Sequence, residues 1–296
     1  MLINGSAGDQ FDPHVSGDWA SYTSDLSIRY YRFSTFTDAA IPSLPVARDQ
    51  AADVSGSRIV FSRTTPGNPG KTALMVFDAA TGAAPIEIDP AAGSIRLGSA
   101  IGGDTLAFVD WVLGNGEMVI HDLATSTSVR MTFDSAPDWS PSVSPGGAVV
   151  VREHCTSTCS ILQAVKTGGT WRVSPMTADA YNPDTNGTLV VYDSNRAGDS
   201  DIFWRPSAGG AEVPLEWPGY ERNPSIAGDF IAFESGPTIT SVNDLFVYDI
   251  VNNRLFQITD TPLANEQLND ITVLPDGRLR LVWASDEDGE TRNVWS

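Results

Sequence analysis

The chain has 296 residues and carries 37 acidic against 18 basic side chains, a net charge of −19, with Lys71 and Lys166 as its only lysines. Such an excess of negative charge repels nucleic acid and anionic membrane surfaces, and no run of about 18 apolar residues is present to form a membrane-spanning helix. The 26 glycines and 19 prolines are scattered along the chain and no segment keeps a helical period, which predicts one all-β domain over residues 1–296, rich in turns.

In chain order, Met1 to Asn4 form a short apolar run before the first repeated unit, and no leader sequence is recognisable, as is also true of any mature exported chain. Seven units follow, aligned on a glycine turn at Gly17, Gly56, Gly103, Gly147, Gly187, Gly228 and Gly277, with spacings of 39, 47, 44, 40, 41 and 49 residues. They open with FDPHVSGDWASY, AADVSGSRIVF, GSAIGGDTLAF, WSPSVSPGGAVVV, YNPDTNGTLVVY, RNPSIAGDFIAF and NDITVLPDGRLRLVW. Segments such as ALMVFDAATG, EMVIHDLATS, SDIFWRPSAGG and DLFVYDIVNN supply further strands. Alternating apolar runs bounded by Gly, Pro, Asn and Asp are half-buried strands. A period near 43 residues with four strands per unit predicts a seven-bladed β-propeller, because each small sheet buries its faces only against its neighbours. The last unit stops before its fourth strand, and MLINGSAGDQFDP aligns with the fourth strand and exit loop FQITDTPLANEQLND. The N-terminal strand is therefore expected to complete the last blade and close the ring.

Cys155 and Cys159 flank a three-residue turn between the apolar runs AVVV and SILQAV, which places them opposite each other at a hairpin mouth. A disulfide, and with it an oxidising extracellular or periplasmic location, is the reading preferred over free thiols or a metal site with His154.

The segments NPSIAGDFIAF (223–233) and YDSNRAGDSDIFW (192–204) resemble the TolB-like propeller repeat, with its Asn/Asp-Pro lead-in, S-P-D-G or S-G-D turn, Phe or Tyr ending the second strand, and S-x-R-x-G-x-x-D-I-Y. The resemblance extends along the whole chain and is strongest in the first, fifth and sixth units. It implies a fold more specifically than an activity. TolB itself has six blades and an added amino-terminal domain, for which no segment is left here.

In a four-stranded meander, the loops between blades share a face with the loops between second and third strands. On that face, one inner-strand register reads Asp12, Ala51, Gly98, Ser140, Asn182, Asn223 and Asn269. Side-chain oxygens of Asp12, Asn182, Asn223 and Asn269 would converge on the channel mouth and suit a calcium ion, or serve only as turn initiators bonded to the backbone. The preceding register places Phe11, Trp139, Tyr181 and Arg222 around the mouth, with Trp217 and Tyr220 nearby, a surface suited to a peptide or sugar ring through stacking and bidentate bonds. Within the channel, Asp12, His14, Asp53 and Asp184 form a polar lining. His121 reads as a packed strand residue. The loops at 193–201 and 286–293 resemble short calcium loops but lack EF-hand spacing and the sialidase Asp-box pattern.

No G-x-S-x-G elbow, H-E-x-x-H motif or phosphate-binding glycine loop is present. The sequence thus favours a monomeric, non-catalytic module for a protein or carbohydrate ligand. The alternative is a polysaccharide lyase or glycosidase using His14, Asp12, Asp53, Asp184 and Arg222, with a divalent ion as partner.

Overall fold

The computed structural model describes residues 1–5, 8–67, 71–90, 93–111, 114–196, 198–215, 217–287 and 291–296, with Asn269 described by its backbone alone. All regular structure among these residues is β, in seven four-stranded antiparallel sheets arranged as blades. The inner strands are Gln10–Ser16, Arg48–Ser55, Arg96–Gly102, Asp138–Val143, Tyr181–Thr185, Tyr220–Ala227 and Glu266–Val273. No helix of the structure is long and apolar enough to cross a membrane.

Second strands lie between the neighbouring blades on both faces, which is why they read as continuous apolar runs rather than alternating ones. Thr105–Asp110 is buried at every position, and Phe230–Gly236 at every position but the first. Among the described residues, buried apolar side chains form seven clusters, each straddling one interface between blades. Val60, Leu74 and Val76 of the second blade, for example, pack on Ile101, Leu106 and Phe108 of the third.

Ring closure follows the expected course. Leu2–Asn4 pairs antiparallel with Asn293–Trp295 and becomes the outermost strand of the seventh blade. Ile3 joins Val282 and Val294 in the cluster shared with the first blade. Asn4 reaches across to that blade, donating to the Tyr22 hydroxyl at 2.7 Å and to Asp38 at 2.8 Å. Removing residues 1–4 deletes a buried Ile side chain, worth about 2–3 kcal/mol, together with strand pairing and the Asn4 bonds. The truncated chain is expected to melt roughly 10 °C lower by circular dichroism; an unchanged midpoint would show that the clasp contributes nothing.

The disulfide is formed, linking Cys155 and Cys159, which are register partners at the mouth of the fourth blade's hairpin.

Candidate functional site

The inner strands enclose a channel of about 730 Å³ to which all seven blades contribute. Six of the seven strands carry the same irregularity: two residues on the inner strand lie between ladder positions that are only two apart on its partner, as with Arg222↔Glu234 followed by Ser225↔Ala232. The first of these two residues takes a left-handed conformation in each case: Asp12 (φ 56°), Ala51 (53°), Gly98 (55°), Ser140 (44°), Asn182 (49°) and Asn223 (49°). Asn, Asp and Gly tolerate this region best, so the recurrence of Asp12, Asn182 and Asn223 at the mouth has a backbone cause. The seventh blade has a bulge one residue shorter, with Leu268↔Trp283 followed directly by Asp270↔Val282. The side chain of Asn269, the fourth member of the expected calcium ring, lies outside the described residues.

Beyond the bulge, one register faces the channel from all seven blades: His14, Asp53, Ala100, Ser142, Asp184, Ser225 and Asp270. Each aspartate here ties its blade to the next. Asp53 accepts Ile101 N–H at 2.7 Å, Asp184 accepts Ile226 N–H at 2.7 Å, and Asp270 accepts Val15 N–H at 2.9 Å across the ring closure. Ser142 donates to Asp184 at 2.6 Å, and Ser225 bridges Asp184 and Asp270 at 3.1 and 3.2 Å.

His14 stands between three carboxylates. Its Nε2 is 3.5 Å from Asp12 Oδ1, and its Nδ1 is 3.4 Å from Asp53 Oδ1 and 3.8 Å from Asp270 Oδ2. Burial alone would lower the imidazole pKa, but the Asp12 hydrogen bond and the charges of Asp53, Asp12 and Asp270 outweigh it and raise the value to about 10. Burial pushes Asp270 up to about 7, aided by Asp184 and Asp53 and opposed by His14. Sequence reasoning missed Asp270 because the Asn-Asp pair at 269–270 aligns its asparagine with Asn223. The shortened bulge instead delivers the aspartate to the His14 register.

A second network runs beneath the rim of the fourth to seventh blades. Glu153 accepts Asn182 N–H at 2.7 Å, and Asn182 donates its side-chain amide to Asp193 at 2.8 Å. Asp193 accepts Asn223 N–H at 3.3 Å, and Asn223 donates its amide to Glu234 at 2.9 Å. Glu234 in turn accepts Leu268 N–H at 3.0 Å. Burial raises all three acids, Asp193 to about 7.

Phe11, Trp139, Tyr181 and Arg222 share one register, but none lines the channel, and neither do Trp217 and Tyr220. Trp139 is 40% exposed and packs against Trp111 with ring centres 4.9 Å apart. Arg292 covers Phe11, Arg222 is paired with Glu234 at 3.1 Å, and the Tyr220 hydroxyl meets Asn195 at 3.4 Å. His121 is buried in its strand beside Ser128. The loops at 193–201 and 286–293 lie partly outside the described residues, at 197 and 288–290.

No protein-family profile and no curated protein sequence matches the chain. Solved structures do match. TolB from Acinetobacter baumannii is 18% identical, over 95% of this chain and 77% of that one, with a TM-score of 0.56. The β-propeller domain of the Trilobed protease from Pyrococcus furiosus is 12% identical over 97% and 94%, with a TM-score of 0.69. The chain has a TolB-like β-propeller fold. A prolyl endopeptidase also matches, at 15% identity and a TM-score of 0.71, but over 94% of this chain and only 45% of that one. The Pyrococcus domain has an open velcro topology, whereas this TolB-like ring is closed by Leu2–Asn4. At these identities the likeness is one of fold.

Proposed function

We propose that the protein is an extracellular or periplasmic, non-catalytic binding module that docks a protein partner on the face formed by the between-blade and second-to-third-strand loops. One observation carries this reading: the large apolar side chains left exposed gather on that face. Leu44, Val46, Phe133, Trp217, Ile239 and Leu263 all sit there, with exposures from 44% for Trp217 to 95% for Leu263, whereas the turns of the opposite face contribute chiefly Phe36 and Val251. Exposed apolar surface concentrated on one side of a ring is the mark of an interaction face. Trp139, Tyr181, Tyr220 and Arg222 belong to the same side and extend it toward the channel mouth. The disulfide supports an oxidising compartment.

The test uses immobilised protein and the exported proteins of the source organism. A partner retained by the wild type is expected to be lost from a Phe133→Ser, Trp217→Ser, Leu263→Ser variant and kept by a Phe36→Ser, Val251→Ser variant. Equal retention by the two variants, or loss only with the second, overturns the assignment. Retention of a glycan on an array, abolished by Trp139→Ala with Tyr181→Ala, would replace the protein partner with a carbohydrate.

The second reading, a lyase or glycosidase, draws on the imidazole and carboxylates of His14, Asp12 and Asp53. Arg222 would not serve it from its present place, since it is bound to Glu234 and lies off the channel lining.

A further inference from the structure

We propose that His14, Asp53 and Asp270 form a divalent transition-metal site in the central channel, with His14 Nδ1, Asp53 Oδ1 and Asp270 Oδ2 as ligands and Asp12 as the group that orients the imidazole. The site is independent of the docking face.

One ligand atom from each of the three residues lies within 4.8 Å of the other two. The two distances from His14 Nδ1, 3.4 and 3.8 Å, stand close to the roughly 3.3–3.5 Å between neighbouring ligands of a tetrahedral ion whose bonds are about 2.0–2.1 Å. Asp270 comes to the ideal distance from the imidazole with an inward shift of a few tenths of an ångström, and the two carboxylate oxygens already lie within 4.8 Å of each other.

Three features separate this from a plain acidic lining. The first is that His14 latches no main chain. The aspartates of this register latch one blade to the next, and blades with Ala100 or Ser142 in the same place are held without an imidazole, but the His14 side chain makes no hydrogen bond to the main chain among the described residues. The second is orientation. Asp12 sits at Nε2, the ring atom facing away from the other two carboxylates, and a carboxylate holding the far nitrogen of a ligating histidine sets both its tautomer and its direction. The third is that both ligand carboxylates are already aimed. Asp53 Oδ1 accepts Val54 N–H at 2.7 Å and Asp270 Oδ2 accepts Val15 N–H at 2.9 Å, which leaves each oxygen a second lone pair for an ion. The side chains are 16–26% exposed, so the channel gives an ion an approach path and leaves coordination positions open to water or a ligand. One imidazole with two carboxylates suits Zn²⁺ or Mn²⁺ better than calcium, which prefers six to eight oxygens.

The experiment is calorimetric titration of the EDTA-treated, dialysed full chain with Zn²⁺, Mn²⁺ and Ca²⁺, with Co²⁺ absorption as a second readout on the unaltered protein. One Zn²⁺ or Mn²⁺ per chain is expected, with a Co²⁺ visible band of a low-symmetry N/O site. His14→Gln should weaken binding by about 100-fold or more, Asp12→Asn by about 10- to 100-fold, and His154→Gln not at all. His14→Gln removes no main-chain bond, so it tests ligation without breaking the ring. Absence of stoichiometric Zn²⁺ and Mn²⁺ binding, equal binding of Ca²⁺, or undiminished binding by His14→Gln would overturn the proposal.

Discussion

Asp138→Ala is expected to lower the melting temperature by roughly 10–15 °C, the largest effect of any single substitution in the ring. The reason lies in an irregularity of the fourth blade. Opposite the inner-strand bulge, the second strand of the other bulged blades presents a fully buried aromatic ring: Tyr22, Phe61, Phe108, Tyr192 or Phe233. The fourth blade places Arg152 there, also without solvent exposure. Its Nε donates to Asp138 Oδ1 at 3.0 Å, while Nη1 and Nη2 have no partner among the described residues. Asp138 is equally buried, and it also accepts Met118 N–H at 2.9 Å, the Thr132 hydroxyl at 2.5 Å and His154 Nδ1 at 3.0 Å. Without it, a guanidinium stays charged and buried with no counter-charge, which costs about 3–5 kcal/mol, and each kcal/mol moves the midpoint of a domain this large by about 2–4 °C. Restoring the repeat pattern with Arg152→Phe and Asp138→Asn together should recover the midpoint to within about 5 °C of wild type. Calorimetry reads both, and a shift below about 3 °C for Asp138→Ala would show that the pair carries no net charge burden.

Stability of the EDTA-treated chain is expected to be greatest near pH 4 and to fall continuously toward pH 10. The native state raises Asp193, Asp270 and Glu221 to about 7, in each case chiefly through burial. Carboxylates in the unfolded chain titrate near 4. Between these values the folded protein holds protons that the unfolded chain has released, so stability falls as pH rises from about 4 to 7. His14 adds a second limb of the same sign: its contribution is complete below the unfolded value of 6.5 and is lost as pH rises toward its folded value of about 10. Asp18, Asp122, Asp249 and Asp276 are held below their ordinary range by hydrogen bonds, against some burial, so they withdraw stability only as pH falls below about 4. A three-unit shift corresponds to at most about 4 kcal/mol, so a decline of about 10–20 °C in midpoint from pH 5 to pH 9 is expected from thermal melts. His14→Gln should flatten the limb between about pH 6.5 and 10. A maximum at pH 7–8 would contradict the burial of these acids as ionisable groups.

The ring was legible in the sequence because its determinants repeat. Gly17 through Gly277 mark one turn seven times, and the strands between them must alternate or run apolar to bury a sheet on both sides. Closure by residues 2–4 and the Cys155–Cys159 hairpin were legible for the same local reason. What escaped were departures from register. Asp270 lies one position away from where alignment on Asn223 puts it, because a bulge was shortened by one residue. Arg152 comes at the end of the apolar run AVVV, just before Glu153 and His154, where nothing announces that a charge has replaced a ring. The left-handed residue that follows Phe11, Trp139, Tyr181 and Arg222 separates their register from the channel lining, a step of the backbone that spacing alone does not show. The exposure of Phe133 and Leu263 depends on loop packing, which carries no periodic signal.

Hydrogen exchange on the isolated complex with a retained partner tests the docking face most directly. Slowed exchange is predicted in the loops around Leu44–Val46, Phe133, Trp217, Ile239 and Leu263, with the turns bearing Phe36 and Val251 unchanged. Protection confined to those opposite turns would contradict the account.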